Sequence, residues 1–239
     1  MVDTHCHLLR GLDDGPKTLD ESVALAAELV EAGVRTVVCT PHLSRRYPTD
    51  FAVAQKRLVE LEAALREAGL ALELSLAAEI APGLAVTMNN AELRRHAIGD
   101  RFVLVELEPN TAASFAPVIA EQLARDGLFP VLAHPERCRA VRRDTAPLIA
   151  AREAGAVVQV VANSLGGAWG STIARAAWGF IARGRADVVA SDAHRPGRAD
   201  ALSRVLTRLY DRLGEDEVQR LTVETPRALL AGLTPQRPD

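Results

Sequence analysis

Thr18-Leu19-Asp20-Glu21-Ser22-Val23 begins a run that continues through Gly33 into Arg35-Thr36-Val37-Val38-Cys39-Thr40, and its reading decides the fold. Thr18 and Glu21 stand at capping-box spacing. Val23, Ala26, Ala27 and Val30 form an i, i+3, i+4, i+7 stripe, and Gly33 suits the position just past a helix end. The run predicts a helix over 19–32 followed by a strand over 35–40. Outward from it the same alternation recurs. A strand over 2–6 precedes it, and a helix over 50–68 with Leu58, Leu61 and Leu65 on one face follows. Strands over 71–78, 102–107, 129–133, 156–162 and 187–191 then alternate with helices over 115–126, 144–154 and 171–183. The segment 84–98 is ambiguous, and further helices close the chain after 200. Seven strands separated by helices imply a parallel sheet with its faces covered by right-handed crossovers. The expected class is α/β, a seven-stranded (β/α)7 TIM-like barrel or near-closed barrel, filled as one domain over 1–239.

Composition agrees with a packed globular chain. Of 239 residues, 48% are hydrophobic and only 4% aromatic, so the core must be built from Leu, Val, Ile and Ala. A net charge of -3 without long runs of either sign lacks the footprint of a nucleic-acid binder. The cysteines Cys6, Cys39 and Cys138 form no spaced framework, which favours a reducing compartment. No apolar stretch reaches membrane-spanning length, and the first residues have no basic and apolar leader pattern. The expectation is a cytoplasmic protein without membrane insertion, its oligomeric state left open.

In parallel barrels the functional groups sit at the C-terminal ends of strands and in the loops after them. Those positions hold His5 and His7, His42, Glu79, Glu106 and Glu108, His134, and Asp192 and His194. Five of the six histidines fall there, while His96 reads as exposed on a helix. The period of a strand puts His5 and His7 on one side and Cys6 on the other. Gathering these imidazoles and carboxylates without a cation would bury unpaired charge at several kcal/mol each. Imidazole and carboxylate without thiolate suit Mn²⁺, Fe²⁺ or Zn²⁺, and the number of donors exceeds what one ion can take. Two or three divalent ions are therefore expected, Mn²⁺ first among them. Three ions would outweigh the carboxylates of Asp14, Glu79, Glu106 and Asp192 and attract a dianionic phosphate monoester.

The motifs Asp3-Thr4-His5-Cys6-His7, Asp13-Asp14-Gly15-Pro16-Lys17, Thr40-Pro41-His42, Ala78-Glu79, His134-Pro135-Glu136-Arg137 and Ser191-Asp192-Ala193-His194 resemble the PHP (polymerase and histidinol phosphatase) superfamily. Within it, the chain is most similar to the bacterial protein-tyrosine phosphatases of capsule and exopolysaccharide loci, over residues 1 to about 195. The resemblance implies a distorted seven-stranded barrel, the PHP fold, with a trinuclear metal site. One metal would take His5, His7, Glu79 and Asp192, a second Glu79, Glu106 and His134, and a third Asp14, His42 and His194. It also implies Arg137 as a phosphate-binding group, and a phosphotyrosine protein substrate, typically the tyrosine-rich tail of a bacterial autokinase that controls polysaccharide export. Asp14, His42, Arg137 and His194 are the catalytic candidates. Arg195, Arg45, Arg46 and Lys17 are phosphate candidates by position alone. Cys138 stands where the family tends to place an aromatic, so one wall of the phosphotyrosine pocket is expected to differ.

Other readings compete. Cys39-Thr40-Pro41-His42-Leu43-Ser44-Arg45 has the C-x5-R spacing of thiolate-nucleophile phosphatases, but Pro41 lacks an N–H and no Gly is present to let the backbone wrap a phosphate. A small-molecule phosphomonoesterase of the histidinol phosphatase kind, a nuclease, and an inactive metal-binding interaction module are the remaining alternatives. Trp169 and Trp178 are expected mainly to pack.

Overall fold

The computed structural model describes residues 1–197 and 200–237. In chain order its elements begin with β1 (Val2–Cys6), α1 (Leu19–Glu31), β2 (Thr36–Cys39), β3 (His42–Leu43), α2 (Phe51–Glu67), β4 (Glu73–Leu76) and β5 (Glu79–Ile80). The ambiguous segment forms two short helices, α3 (Pro82–Ala85) and α4 (Asn90–Arg95). There follow β6 (Phe102–Glu106), α5 (Phe115–Ala124), β7 (Phe129–Ala133), α6 (Arg139–Arg143), α7 (Ala146–Glu153), β8 (Val157–Val161), α8 (Ala162–Leu165), α9 (Ser171–Ala182) and β9 (Val188–Ala190). The closing helices are α10 (Asp200–Leu213), α11 (Glu215–Gln219) and α12 (Thr225–Leu230), with a π-helical turn over Arg220–Glu224.

Every pairing between these strands is parallel, which fits the helical crossovers between them. The strands form a three-stranded sheet, β1-β2-β4, and a six-stranded sheet, β3-β5-β6-β7-β8-β9. One continuous closed seven-stranded ladder, as expected, is not what forms among the described residues. Two interruptions account for this. Pro41, which has no N–H to give, separates β2 from β3. Between β4 and β5, the N–H of Ala78 donates to the His96 carbonyl at 3.0 Å, off the ladder. The far edges meet where Cys6 bridges Ala193, with His7 N donating to Ala193 O and Asp192 N to His5 O, both at 2.9 Å.

Local signals explain most element ends. Thr18 caps α1 by accepting from the Glu21 N–H, and Gly33 follows at φ 88, a conformation that favours glycine. The buried face of α1 is Ser22, Leu25, Ala26 and Leu29. That corrects the predicted stripe, of which Ala26 alone is buried, while Val23, Ala27 and Val30 are half-buried. An apolar arc this wide contains two overlapping periodic sets, and the helix neighbours choose between them. The core is aliphatic, with Phe102 and Phe180 its buried aromatics among the described residues. His96 is corrected as well: it caps the end of α4, is half-buried, and meets the Phe51 ring edge-on at 5.2 Å. No helix of the described residues is long and apolar enough to cross a membrane.

Candidate metal centre and its cavity

The first two donors come from β1 and the residue after it. His5 and His7 project to the same side, their Nε2 atoms 3.2 Å apart, while Cys6 faces away with Sγ against the Ala193 carbonyl. Each imidazole is turned by a partner at its other nitrogen. His5 Nδ1 donates to Gln159 Oε1 at 2.7 Å, and Gln159 is itself oriented by donating to Thr4 Oγ1 at 3.0 Å. His7 Nδ1 donates to Asp13 Oδ2, also at 2.7 Å. With the protons on Nδ1, both Nε2 lone pairs face inward.

They face a third lone pair. Glu79 Oε2 lies 3.2 Å from His5 Nε2, 3.3 Å from His7 Nε2 and 3.0 Å from His42 Nδ1, yet it is buried without a hydrogen-bond donor. Asp192 Oδ1 closes on the same two imidazoles at 3.5 and 3.6 Å. Glu79 Oε1 meets His134 Nε2 at 2.9 Å, and Glu106 joins His42 and Glu79 in a neighbouring group. Asp14, whose Oδ1 lies 3.4 Å from His194 Nε2 and 3.6 Å from His42 Nε2, gathers with His7, His42 and His194. Within each of these groups the donor atoms lie within 4.8 Å of one another. The chemistry of the set, imidazoles and carboxylates around a Glu79 oxygen that has no donor, fits divalent cations.

The electrostatics point the same way. Burial, and next the charge of Glu79, push the Glu106 carboxyl up to about 7, a sign of negative charge in want of a cation. For Glu79 burial works upward too, but the imidazoles of His5, His134 and His42 outweigh it and hold the carboxyl well below its usual range. Burial likewise works upward on Asp13, where the hydrogen bond and charge of His7 prevail and hold it at about 2.

Backbone geometry delivers these side chains at some cost. His134 and Asp192 adopt left-handed conformations, φ 36 and φ 54, each costing about 1–3 kcal/mol for a residue with a Cβ. Gly15 is required for a different reason: a Cβ there would stand 2.5 Å from the His7 carbonyl oxygen and 2.9 Å from Asp13 Oδ1. That close approach lets the Asp13 carboxylate accept from Gly15 N, His42 N and His7 at once. Asp3, fully buried, accepts from the Ser191 N–H at 2.9 Å and ties β1 to the loop carrying Asp192 and His194.

All nine residues expected as ligands thus meet at one end of the sheets. Glu106, the last residue of β6, lies in the cluster, whereas Glu108, past the strand end, is exposed and lines the adjoining hollow. The cluster floors a cavity of about 310 Å³ rimmed by Arg137, Asn163, Trp169 and Arg195. Arg137 donates to Asp192 Oδ2 at 3.0 Å and lies over the Trp169 ring at 4.6 Å. Trp169 therefore lines the cavity, a correction to the packing expectation. Trp178 does pack: its indole donates to the Leu165 carbonyl, under Arg208 and Arg212. Lys17 is engaged elsewhere, donating to the Asp13 carbonyl, and Arg45 and Arg46 line the adjoining hollow. Cys39 is fully buried, which drives its thiol pKa far up, and Cys138 is buried with Sγ against the Thr111 carbonyl. Both its burial and its raised pKa disfavour a thiolate nucleophile at Cys39.

Sequence reading missed Asp13, Gln159 and Asp3 as positioning groups. Gln159, a lone amide in Val157-Val158-Gln159-Val160-Val161, was the visible signal.

The family model for capsular polysaccharide synthesis, CpsB/CapC, matches residues 1–231. The putative tyrosine-protein phosphatase CapC of Staphylococcus aureus is 31% identical over 198 residues, 81% of this chain and 77% of that protein. The tyrosine-protein phosphatase YwqE of Bacillus subtilis (strain 168) is 29% identical over 196 residues, with the same shares covered. A chain from the crystal structures of YwqE of Bacillus subtilis and CpsB of Streptococcus pneumoniae, described as metal-dependent tyrosine phosphatases, superposes with a TM-score of 0.88 at 27% identity. That superposition covers 100% of this chain and 97% of the other.

Proposed function

The chain belongs to the CpsB/CapC family of capsular polysaccharide synthesis, and on that premise we propose that it is a metal-dependent protein-tyrosine phosphatase. One observation carries the reading: the bare nitrogens His5 Nε2 and His7 Nε2 and the donorless oxygen Glu79 Oε2 converge within 3.3 Å of one another. A divalent cation placed among them would satisfy all three atoms at once. In this reading His5, His7, Glu79 and Asp192 hold one ion, Glu79, Glu106 and His134 a second, and Asp14, His42 and His194 a third, Mn²⁺ being the expected metal. Such ions, when bound, supply an activated water and charge neutralisation to a phosphoryl group.

The protein's own contribution is positioning. Arg137, braced by Asp192 and Trp169, presents its guanidinium at the cavity rim, where it neutralises phosphoryl oxygens as charge develops. Trp169, which lines the cavity, offers an apolar ring to the phenyl group of phosphotyrosine. Hydrogen bonding from His194 holds the Asp14 carboxyl well below its usual range, so it stays ionised and supplies no proton. A tyrosine phenolate, with a pKa near 10, departs without one. The same reading takes the two sheets as one distorted barrel over a single domain, interrupted at Pro41 and at Ala77-Ala78. The substrate it favours is the tyrosine-rich tail of a cytoplasmic-side autokinase in polysaccharide export.

Elemental analysis of metal per chain, paired with phosphotyrosine-peptide turnover before and after chelation, tests this. Two or three ions per chain and turnover that disappears with chelator and returns with Mn²⁺ are expected. Turnover indifferent to chelation overturns it, and faster hydrolysis of histidinol phosphate than of the peptide favours the small-molecule alternative.

A further inference from the structure

A second hollow, about 630 Å³, opens beside the catalytic cavity and shares Asp14, His42, Glu106 and Arg137 with it. The two form one continuous depression, larger than a phosphorylated phenol fills. The wall away from the metal centre is the turn between β3 and α2, which presents Arg45, Arg46 and Tyr47. This turn is held firmly. Ser44 N donates to Tyr47 O at 2.9 Å, Tyr47 N to Ser44 Oγ at 3.0 Å, and Thr49 Oγ1 to His42 O at 2.7 Å. Tyr47 stacks on the His42 ring, 12° from parallel with centroids 5.6 Å apart, and the Arg46 guanidinium lies 5.2 Å over Tyr47. A stack thus leads from His42 through Tyr47 to the exposed Arg46 guanidinium, with the exposed Arg45 beside it in sequence.

Those two cations have no carboxylate partner among the described residues, unlike Arg10, Arg57, Arg152 and Arg220, which are all paired. Glu108, the nearest acidic group lining the hollow outside the cluster, makes no ion pair with either. Leu84 and Ala81 add apolar lining to the same hollow.

We propose that this hollow binds the polypeptide flanking the phosphotyrosine, and that Arg45 and Arg46 select acidic side chains in that flank. The proposal rests on the phosphotyrosine reading above and adds to it a rule for choosing among substrates. Arg46, held over Tyr47 on a hydrogen-bonded turn, loses little freedom on pairing with a carboxylate, so the preference appears in peptide affinity and not in the chemical step.

The test compares two phosphotyrosine nonapeptides, one flanked by Asp and Glu and one by Ala, with p-nitrophenyl phosphate as a flankless probe. For the wild type, kcat/KM is expected to be about tenfold higher on the acidic peptide, through KM, with the advantage shrinking at 0.5 M salt. In an Arg45→Ala/Arg46→Ala double variant the advantage should fall below about twofold, while p-nitrophenyl phosphate kinetics stay unchanged. Equal wild-type rates on the two peptides, or a double variant that keeps the full advantage, overturn the proposal. Loss of turnover on p-nitrophenyl phosphate and both peptides by the metal-loaded wild type is a distinct result, and it sinks the phosphatase reading itself.

Discussion

The Asp13 carboxylate receives the Nδ1 proton of His7 at 2.7 Å and the backbone N–H of His42 at 2.9 Å through the same oxygen, Oδ2. One buried acid thereby aligns donors from two different strand ends. Asp13→Asn removes the charge that fixes the His7 tautomer. Its Mn²⁺ affinity, measured by titration calorimetry, is expected to fall about 10–100-fold while the circular dichroism spectrum is retained. Unchanged affinity would mean that Asp13 serves the fold alone.

Arg137 is expected to act in the transition state and not in metal binding. Arg137→Ala should lower kcat on p-nitrophenyl phosphate by about 10²–10³ without changing metal content. Arg137→Lys should recover only a small part of it, because an ammonium cannot both fork toward a phosphate and lie flat on Trp169. Full activity in the lysine variant would reduce the requirement to charge alone.

Cys39→Ser separates the two phosphatase chemistries. The thiol is buried and held protonated, so the serine variant should keep turnover within about twofold, while chelation of the wild type removes it. An inactive, correctly folded serine variant would reinstate the thiolate mechanism.

Glu136 makes stability depend on pH. Burial pushes its carboxyl up to about 7, against an ordinary value near 4.5, and one of its oxygens has no donor. Between those values the folded state holds a proton that the unfolded chain has released, so this contribution declines as pH rises from about 4.5 to 7. Glu136→Gln should lack that decline. Its stability relative to wild type should increase by about 1–3 kcal/mol between pH 4.5 and 8, read from urea midpoints. A difference that stays constant across pH would show that Glu136 is not the group responsible.

Much of the fold was legible because strand and helix periods are local properties. The strand predicted over 129–133 is β7 to the residue, and Gly33 ends α1 where its left-handed φ is needed. The two short strands β3 and β5 were not legible: two residues carry no period, and they are defined by pairing, β3 with β5 and β5 also with β6. For the site, period two along β1 put His5 and His7 on one side, and their nitrogens do meet.

Residue identity and spacing along the chain determined the inventory of donors and the strand ends that carry them, since a ligand must be an imidazole or a carboxylate wherever it sits. What faces what was decided in three dimensions. Asp13 reaches His7 and His42 across a turn that only Gly15 admits, Gln159 meets His5 from 154 residues away, and Trp169 comes under Arg137 from a different loop. Arg45 and Arg46, phosphate candidates by position alone, stand instead over the adjoining hollow. Such contacts depend on how crossovers stack the strands, and no spacing along one strand encodes that.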